Sequence, residues 1–221
     1  MSDNFSRSNG EPTLYIKQSK DMFLTVVLYV DDLIFMGNDE TLVEEFKEAM
    51  KREFEMIDLG LLKFFLGIEI QQEEQGIFVS QSKYAKVILK RFRMETCNPA
   101  LTPTAMGIKL CKYDFTKSVN PTLYKSMVGS LMYLMATCPN IMYVVSLISR
   151  FMENPRASHL QVAKRILRYV QGIVIYGISY IVTNEFKLIR YMDSDWNGSF
   201  DDKKSTSGYL FHLGSGAISW A

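Results

Sequence analysis

The sequence predicts an α+β chain in which antiparallel strand ribbons are interleaved with amphipathic helices. Short runs rich in β-branched and aromatic residues recur in pairs bounded by turn residues, as at 23–28 and 33–36. Apolar residues then repeat at helical spacing, as in Leu42, Val43, Phe46, Ala49, Met50 and Phe54. The chain has 221 residues, 48% of them hydrophobic, enough to bury a sizeable core in one or two domains.

Taken in order, residues 1–10 are polar and carry no signal-peptide core. Residues 23–28 and 33–36 read as two strands joined by Tyr29-Val30-Asp31-Asp32 and ended by Gly37 and Asn38. Asp39 is placed to cap the following helix, whose other face, Glu44, Glu45, Glu48 and Lys51, is solvated. A second hairpin is expected from 61–71 and 76–80, with 72–75 as its polar tip. Residues 81–92 read as a helix carrying Lys83, Lys86, Lys90 and Arg91 with no acidic residue. The stretch 98–120 holds Pro99, Pro103 and Gly107 and reads as a linker.

From 126 to 149 there is no charge, but Pro139 and Asn140 interrupt the run. Proline removes a backbone donor and disfavours helix in its predecessor, so two buried helices joined by a turn are expected in place of a membrane span. Ser158 is expected to cap a helix ending at Gly172, with Ala163, Ile166, Leu167 and Val170 inward and Lys164, Arg165 and Arg168 outward. Strands follow at 176–182, 187–196, 207–213 and 217–220, with Asn197, Gly198, Asp201 and Asp202 among the turn residues.

Twenty-five basic and 24 acidic side chains give a formal charge of +1, so any contact with a polyanion must be local. Cys97, Cys111 and Cys138 are odd in number and form no CxxC pair, which argues against a disulfide framework or zinc cluster and for a reducing, intracellular compartment. His159 and His212 are far apart and have no cysteine neighbours.

Asp31 and Asp32 stand side by side in an otherwise apolar hairpin, where adjacent carboxylates repel. Two readings are open. Aspartate is a common turn residue that bonds its own backbone. Alternatively, the pair binds magnesium: hard cations take oxygen ligands, and two such ions about 3.5–4 Å apart serve phosphoryl transfer.

The residues around this pair resemble the copia-type retrotransposon reverse transcriptases in an ordered series. LYVDDLIFMGND at 28–39 is similar to that family's catalytic hairpin, and DLGLLKFFLGIEI at 58–70 to the segment that holds the primer terminus. FVSQSKYAKVIL at 78–89 is similar to the start of the thumb. YKSMVGSLMYLMATCPNI, SRFMENP and AKRILRYVQG continue the series, and YMDSDWNGSFDDKKSTSGYLFHLGSGAISW at 191–220 resembles the opening of a ribonuclease H domain. The resemblance implies a partial palm and thumb over 1–97, a linker and helical connection over 98–172, and the start of a ribonuclease H-like sheet over 173–221.

It also implies roles. Asp31 and Asp32 would bind magnesium in the polymerase, with Asp31 the direct ligand, and Asp193 would be the first catalytic, metal-binding aspartate of the nuclease. Tyr29, Leu66 and Gly67 would sit near the primer end. Lys83, Lys86, Lys90 and Arg91 would follow the phosphates of an RNA template and DNA primer duplex, a sequence-independent and salt-sensitive contact. A solvated basic face is the plainer reading of such a cluster taken alone; the resemblance favours phosphate contact for this one and leaves the choice open for a second such face, Lys164, Arg165 and Arg168.

The implied partners are the template and primer, deoxynucleotides and the remainder of the polyprotein, with no membrane. The family uses a third palm carboxylate on an earlier strand, while this sequence has only Asp3, Glu11 and Asp21 before the hairpin. The later nuclease carboxylates would follow residue 221. The chain is therefore expected to be a polymerase fragment with a truncated ribonuclease H, inactive alone. A non-catalytic nucleic-acid-binding remnant or a decaying transposon reading frame are the alternatives. Cys138 and Asn140 stand where the family commonly has Arg and Asp.

Overall fold

Leu24 and Val26 are two residues apart on one strand, so both side chains leave the same face of a pleated sheet, and both are buried. They anchor the first of two compact units, Met1–Leu62. The computed structural model describes residues 5–112, 115–195, 201 and 205–221. In the first unit four antiparallel strands lie in chain order: β1 (Ser6–Arg7), β2 (Leu14–Ser19), β3 (Met22–Tyr29) and β4 (Asp32–Gly37). Helix α1 (Glu40–Glu53) starts as expected, with the Asp39 carboxylate accepting from the Leu42 N–H at 2.8 Å. It lays Phe46 on Leu24 and Val26, beside Leu42, Val43 and Met50. Phe54, read as part of that apolar face, comes one residue after the helix and is exposed, because the chain turns extended there.

The second unit is Lys63–Ala221. One of its sheets has the order β5 (Phe64–Phe65), β6 (Ile68–Glu73), β7 (Gly76–Ser80), β8 (Gly177–Ile181), all antiparallel. The single strand expected over 61–71 is broken, because Leu66 and Gly67 both take positive φ (46° and 77°) and close a tight turn between β5 and β6. β8 pairs with β7 although about a hundred residues separate them. Gly177 makes the approach possible, since a Cβ there would strike the Val79 carbonyl.

Four helices share one core: α2 (Ser82–Arg91), α3 (Pro121–Leu134), α4 (Met142–Ser149) and α5 (Ala157–Gly172). Ile88, Leu89, Val128, Leu131, Ile148, Ile166 and Leu167 are among its fully buried aliphatics. The charge-free run is split, as expected, by a turn of 3-10 helix at Pro139–Ile141. No helix among the described residues is long and apolar enough to cross a membrane. Tyr124 is fully buried, and its hydroxyl donates to the Ile148 carbonyl at 2.8 Å, tying α3 to α4. Burial pushes the ionisation of that phenol well above its usual range.

Ser158 lies inside α5 and does not cap it. The cap position is Arg156, whose N–H donates to Nδ1 of the buried His159 at 3.0 Å. The His159 ring stacks on Phe151, with ring centroids 4.0 Å apart, and its Nε2 is 3.1 Å from the Cys111 carbonyl.

The described residues of the stretch 98–120 form no helix or named strand, yet they are strapped to α5. Backbone polar groups away from regular structure need partners, and α5 supplies them. Arg168 Nε donates to the Asn98 carbonyl at 2.7 Å, the Ala100 N–H to the Arg168 carbonyl at 3.1 Å, and Arg165 Nη2 to Thr102 Oγ1 at 3.0 Å. Further along, the Val119 N–H reaches the Pro155 carbonyl at 3.0 Å and the Ala157 N–H the Lys117 carbonyl at 2.9 Å. The expected outward basic face is thereby corrected: Lys164 is exposed, while Arg165 and Arg168 are half-buried and hold the strap.

The last sheet is antiparallel, in the order β11 (Gly216–Trp220), β10 (Thr206–Leu213), β9 (Leu188–Asp195). It joins β8 through Tyr180, whose hydroxyl donates to the Ala217 carbonyl at 2.6 Å, and through the Ile181 N–H, which donates to Ser215 Oγ at 2.7 Å. Trp196, Asn197, Gly198 and Asp202, expected at a strand end and in turns, lie outside the described residues. Among the described residues the chain thus has five α-helices and three antiparallel sheets.

Arg168→Gln removes a charge-assisted bond to the strap and is expected to lower unfolding free energy by about 1–2 kcal/mol in urea denaturation. Lys164→Gln, one turn away and exposed, is expected to change it by less than about 0.5 kcal/mol.

Candidate functional site

The β3–β4 hairpin closes with Tyr29 paired to Asp32, leaving Val30 and Asp31 as a two-residue turn. Such turns match strand twist when a central residue takes positive φ, which is why glycine and asparagine dominate them. Here Val30 takes it, at φ 52°. A β-branched residue in the left-handed region is strained by about 1–3 kcal/mol. Its side chain is 79% exposed, so no packing offsets that strain.

The geometry puts Asp31 and Asp32 at the tip, both exposed. Among the described residues neither carboxylate enters an ion pair or a side-chain hydrogen bond. Two adjacent, unengaged carboxylates concentrate negative charge and offer hard oxygen donors, the chemistry that a magnesium ion takes. Among the described residues, however, no three His, Cys, Asp or Glu side chains stand together as a metal cluster. Two carboxylates alone supply part of a shell, and for such an ion the rest would come from water, phosphate oxygens or other protein groups.

The other early acids do not complete the pair. Asp21 lies in the β2–β3 turn, at the opposite end of β3 and about 25 Å along the strand. Glu11 is engaged locally: its carboxylate accepts from the Thr13 hydroxyl at 2.7 Å and from the Thr13 N–H at 3.1 Å, which lowers its pKa. Tyr29 directly precedes the turn and is 45% exposed.

In the second unit, the Leu66–Gly67 turn is held by Tyr133, whose hydroxyl donates to the Leu66 carbonyl. A Cβ at Gly67 would strike that hydroxyl, so the turn and the tyrosine need glycine there. The turn edges a shallow, open cleft lined by Gly67, Tyr84, Arg91, Lys125, Ser126 and Tyr133, among others. Tyr84 meets Tyr133 edge to face at 4.7 Å, donates its hydroxyl to the Ser130 carbonyl at 3.1 Å, and has its phenol pKa raised by burial.

Helix α2 buries Ala85, Ile88 and Leu89 and exposes Lys83, Lys86, Lys90 and Arg91. The Glu69 carboxylate accepts from the Lys83 N–H at 2.6 Å in its first turn, and the Lys83 ammonium lies 5.6 Å from the Phe64 ring centroid. Lys83, Lys86 and Lys90 run along one exposed face, while Arg91 lines the cleft, as does Lys125 from α3. Sequence reading missed Lys125, a single cation in an uncharged helix whose place depends on how α3 packs against α2.

Asp193 is exposed on β9, opposite Gly208, and its Oδ1 accepts from the Ser194 N–H at 2.8 Å. β9 is an edge strand of its sheet. The structure thus groups Tyr29, Asp31 and Asp32 at one hairpin, groups Leu66 and Gly67 with Arg91 at one cleft, and leaves Asp193 on a third surface.

Residues 1–106 match the family described as reverse transcriptase (RNA-dependent DNA polymerase). The chain is 40% identical over 217 residues to the retrovirus-related Pol polyprotein from transposon RE1 of Arabidopsis thaliana, covering 98% of this chain and 15% of that protein. An uncharacterized mitochondrial protein of the same plant is 35% identical over 196 residues, 89% of this chain and 81% of its own length. A putative transposon Ty5-1 protein of Saccharomyces cerevisiae is 31% identical over 219 residues, 98% of this chain and 71% of its own. No solved structure matches the chain significantly. The chain belongs to the Pol polyproteins of copia-type retrotransposons, in their reverse-transcriptase region. It spans about 15% of the length of the RE1 and RE2 polyproteins.

Val30→Gly relieves the strained turn at a smaller entropic cost, a net gain of about 1 kcal/mol. Hydrogen exchange of the β3 and β4 amides is expected to slow about fivefold.

Proposed function

We propose that this chain is part of an RNA-directed DNA polymerase in which Asp31 and Asp32 hold magnesium at the growing end of a DNA primer. The carrying observation is the pair of exposed carboxylates fixed at a two-residue turn and unengaged by any described side chain. Magnesium bound there would help deprotonate the primer hydroxyl and offset charge on the deoxynucleotide phosphates. The hairpin's part is positional: a short turn between paired strands keeps both carboxylates in one place, and catalysis of this kind depends mostly on position and charge.

In this reading Tyr29 lies beside the primer end and the Leu66–Gly67 turn supports the primer. The exposed face of α2, Lys83, Lys86, Lys90 and Arg91, contacts phosphates of the RNA template and DNA primer, so affinity falls with salt. Residues 1–97 serve as palm and thumb, 98–172 as the connection and 173–221 as the first part of a ribonuclease H-like domain, with Asp193 as its first metal-binding carboxylate. The remainder of the polyprotein supplies the other carboxylates. β4 is an edge strand of its sheet, open to pairing with a strand from elsewhere in that polyprotein.

A second reading, a nucleic-acid-binding segment without catalysis, is favoured by one finding: the mitochondrial relative consists mostly of this same segment. Both readings are tested by primer extension on an RNA template, using a Pol polyprotein that contains this segment. Asp31→Asn and Asp32→Asn are each expected to cut extension at least about 100-fold while leaving duplex affinity within about twofold. Extension insensitive to both substitutions overturns the polymerase assignment, and salt-sensitive binding persisting in that case supports the second reading.

A further inference from the structure

Thr102 and Pro103 form the only Ser-Pro or Thr-Pro dipeptide in the chain. Thr102 is exposed in the strap, and its hydroxyl already has a defined seat: it donates to the Thr104 carbonyl at 2.7 Å and accepts from Arg165 Nη2 at 3.0 Å. Arg165 makes no ion pair among the described residues, and its Nε is buried with no hydrogen-bond partner there. A buried guanidinium N–H without an acceptor is costly. Helix α5 carries Lys164, Arg165 and Arg168 and no acidic residue, so the positive charge around Thr102 is not neutralised from within that helix.

We propose that Thr102 is a phosphorylation site whose phosphate is gripped by Arg165. The chemistry is phosphoryl transfer by a protein kinase that selects proline after its acceptor. The Thr102 Oγ1–phosphorus bond forms as the bond from the γ-phosphorus of a nucleoside triphosphate to its bridging oxygen breaks; the diphosphate leaves and the hydroxyl proton passes to the kinase's base. Proline fixes its own φ and disfavours the helical region for Thr102, and residues 101–104 form an exposed to half-buried bend outside any helix or strand.

The added group brings nearly two negative charges and three acceptor oxygens. Arg165 Nη2 and Nε form a planar fork that takes two of those oxygens side by side, which a single hydroxyl cannot offer. The lost bond to Thr104 is a neutral one, whereas the new pair is charge-assisted, half-buried and formed without removing any other partner of Arg165. The modified strap would therefore be pinned to α5 more firmly than the unmodified one, independently of the polymerase reading.

The test treats the full chain with a proline-directed kinase and ATP, maps phosphate by mass spectrometry and follows thermal unfolding. Phosphate is expected at Thr102 in the parent chain and at no equivalent position in Thr102→Ala, with the melting temperature raised by about 2–4 °C. In Arg165→Gln, and in Arg165→Lys, which keeps the charge but lacks the fork, Thr102 is still modified but the rise is lost or at least halved. No incorporation at Thr102, or a rise of the same size in both Arg165 variants, overturns the proposal.

Discussion

The two-residue turn between β3 and β4 is the constraint on which the rest of this structure's chemistry depends. A shorter link cannot reverse an antiparallel ribbon, and a longer one would let the two aspartates wander. With only Val30 and Asp31 between paired residues, Asp31 and Asp32 must share one small region at the tip. The core of the first unit supports that arrangement. Leu24 and Val26 fix the register of β3 against α1, and a slip by one residue would turn the whole strand over. The strain at Val30 is a cost that the surrounding ladder sustains.

The second unit rests on a different kind of constraint, long-range closure. β8 returns across about a hundred residues to finish the sheet begun by β5, β6 and β7, and the four helices fill the interval with one core. Tyr133 on α3 then holds the Leu66–Gly67 turn from outside its own hairpin, so the helical core and the cleft edge are set together. Such a layout lets a polar surface of arginine, lysine and hydroxyl groups stand on a rigid apolar base, which suits a ligand recognised by backbone charge.

Much of the local structure was legible in the sequence because its signals are local. The strand pair around Tyr29-Val30-Asp31-Asp32, the Asp39 cap and the Pro139 break each rest on neighbours within a few residues, and each stands where expected. What was not legible depends on partners far along the chain. The turn at Leu66 and Gly67 was hidden in an apolar run because a leucine with positive φ gives no sequence signal; its stabiliser is Tyr133. The strap at 98–120 reads as a linker because its bonds go to α5, and for the same reason Arg165 and Arg168 looked like solvated or phosphate-facing cations. Lys125 escaped notice since only the packing of α3 beside α2 places it in the same cleft lining as Arg91. The proposed metal-binding pair was readable because it consists of adjacent residues. The wider cleft was not, because it is assembled from three elements.

Divalent-cation binding at the hairpin tip is the central claim, and it can be seen without any turnover. Manganese, a paramagnetic stand-in for magnesium, broadens the NMR signals of nuclei close to it. Titrated at substoichiometric levels into the labelled chain, it is expected to erase the amide signals of Tyr29, Val30, Asp31, Asp32 and Leu33 first, and to leave them intact in an Asp31→Asn, Asp32→Asn double variant. Signals at the tip that persist in the parent chain, or that vanish equally in the double variant, would contradict the assignment of this hairpin as a metal-binding site.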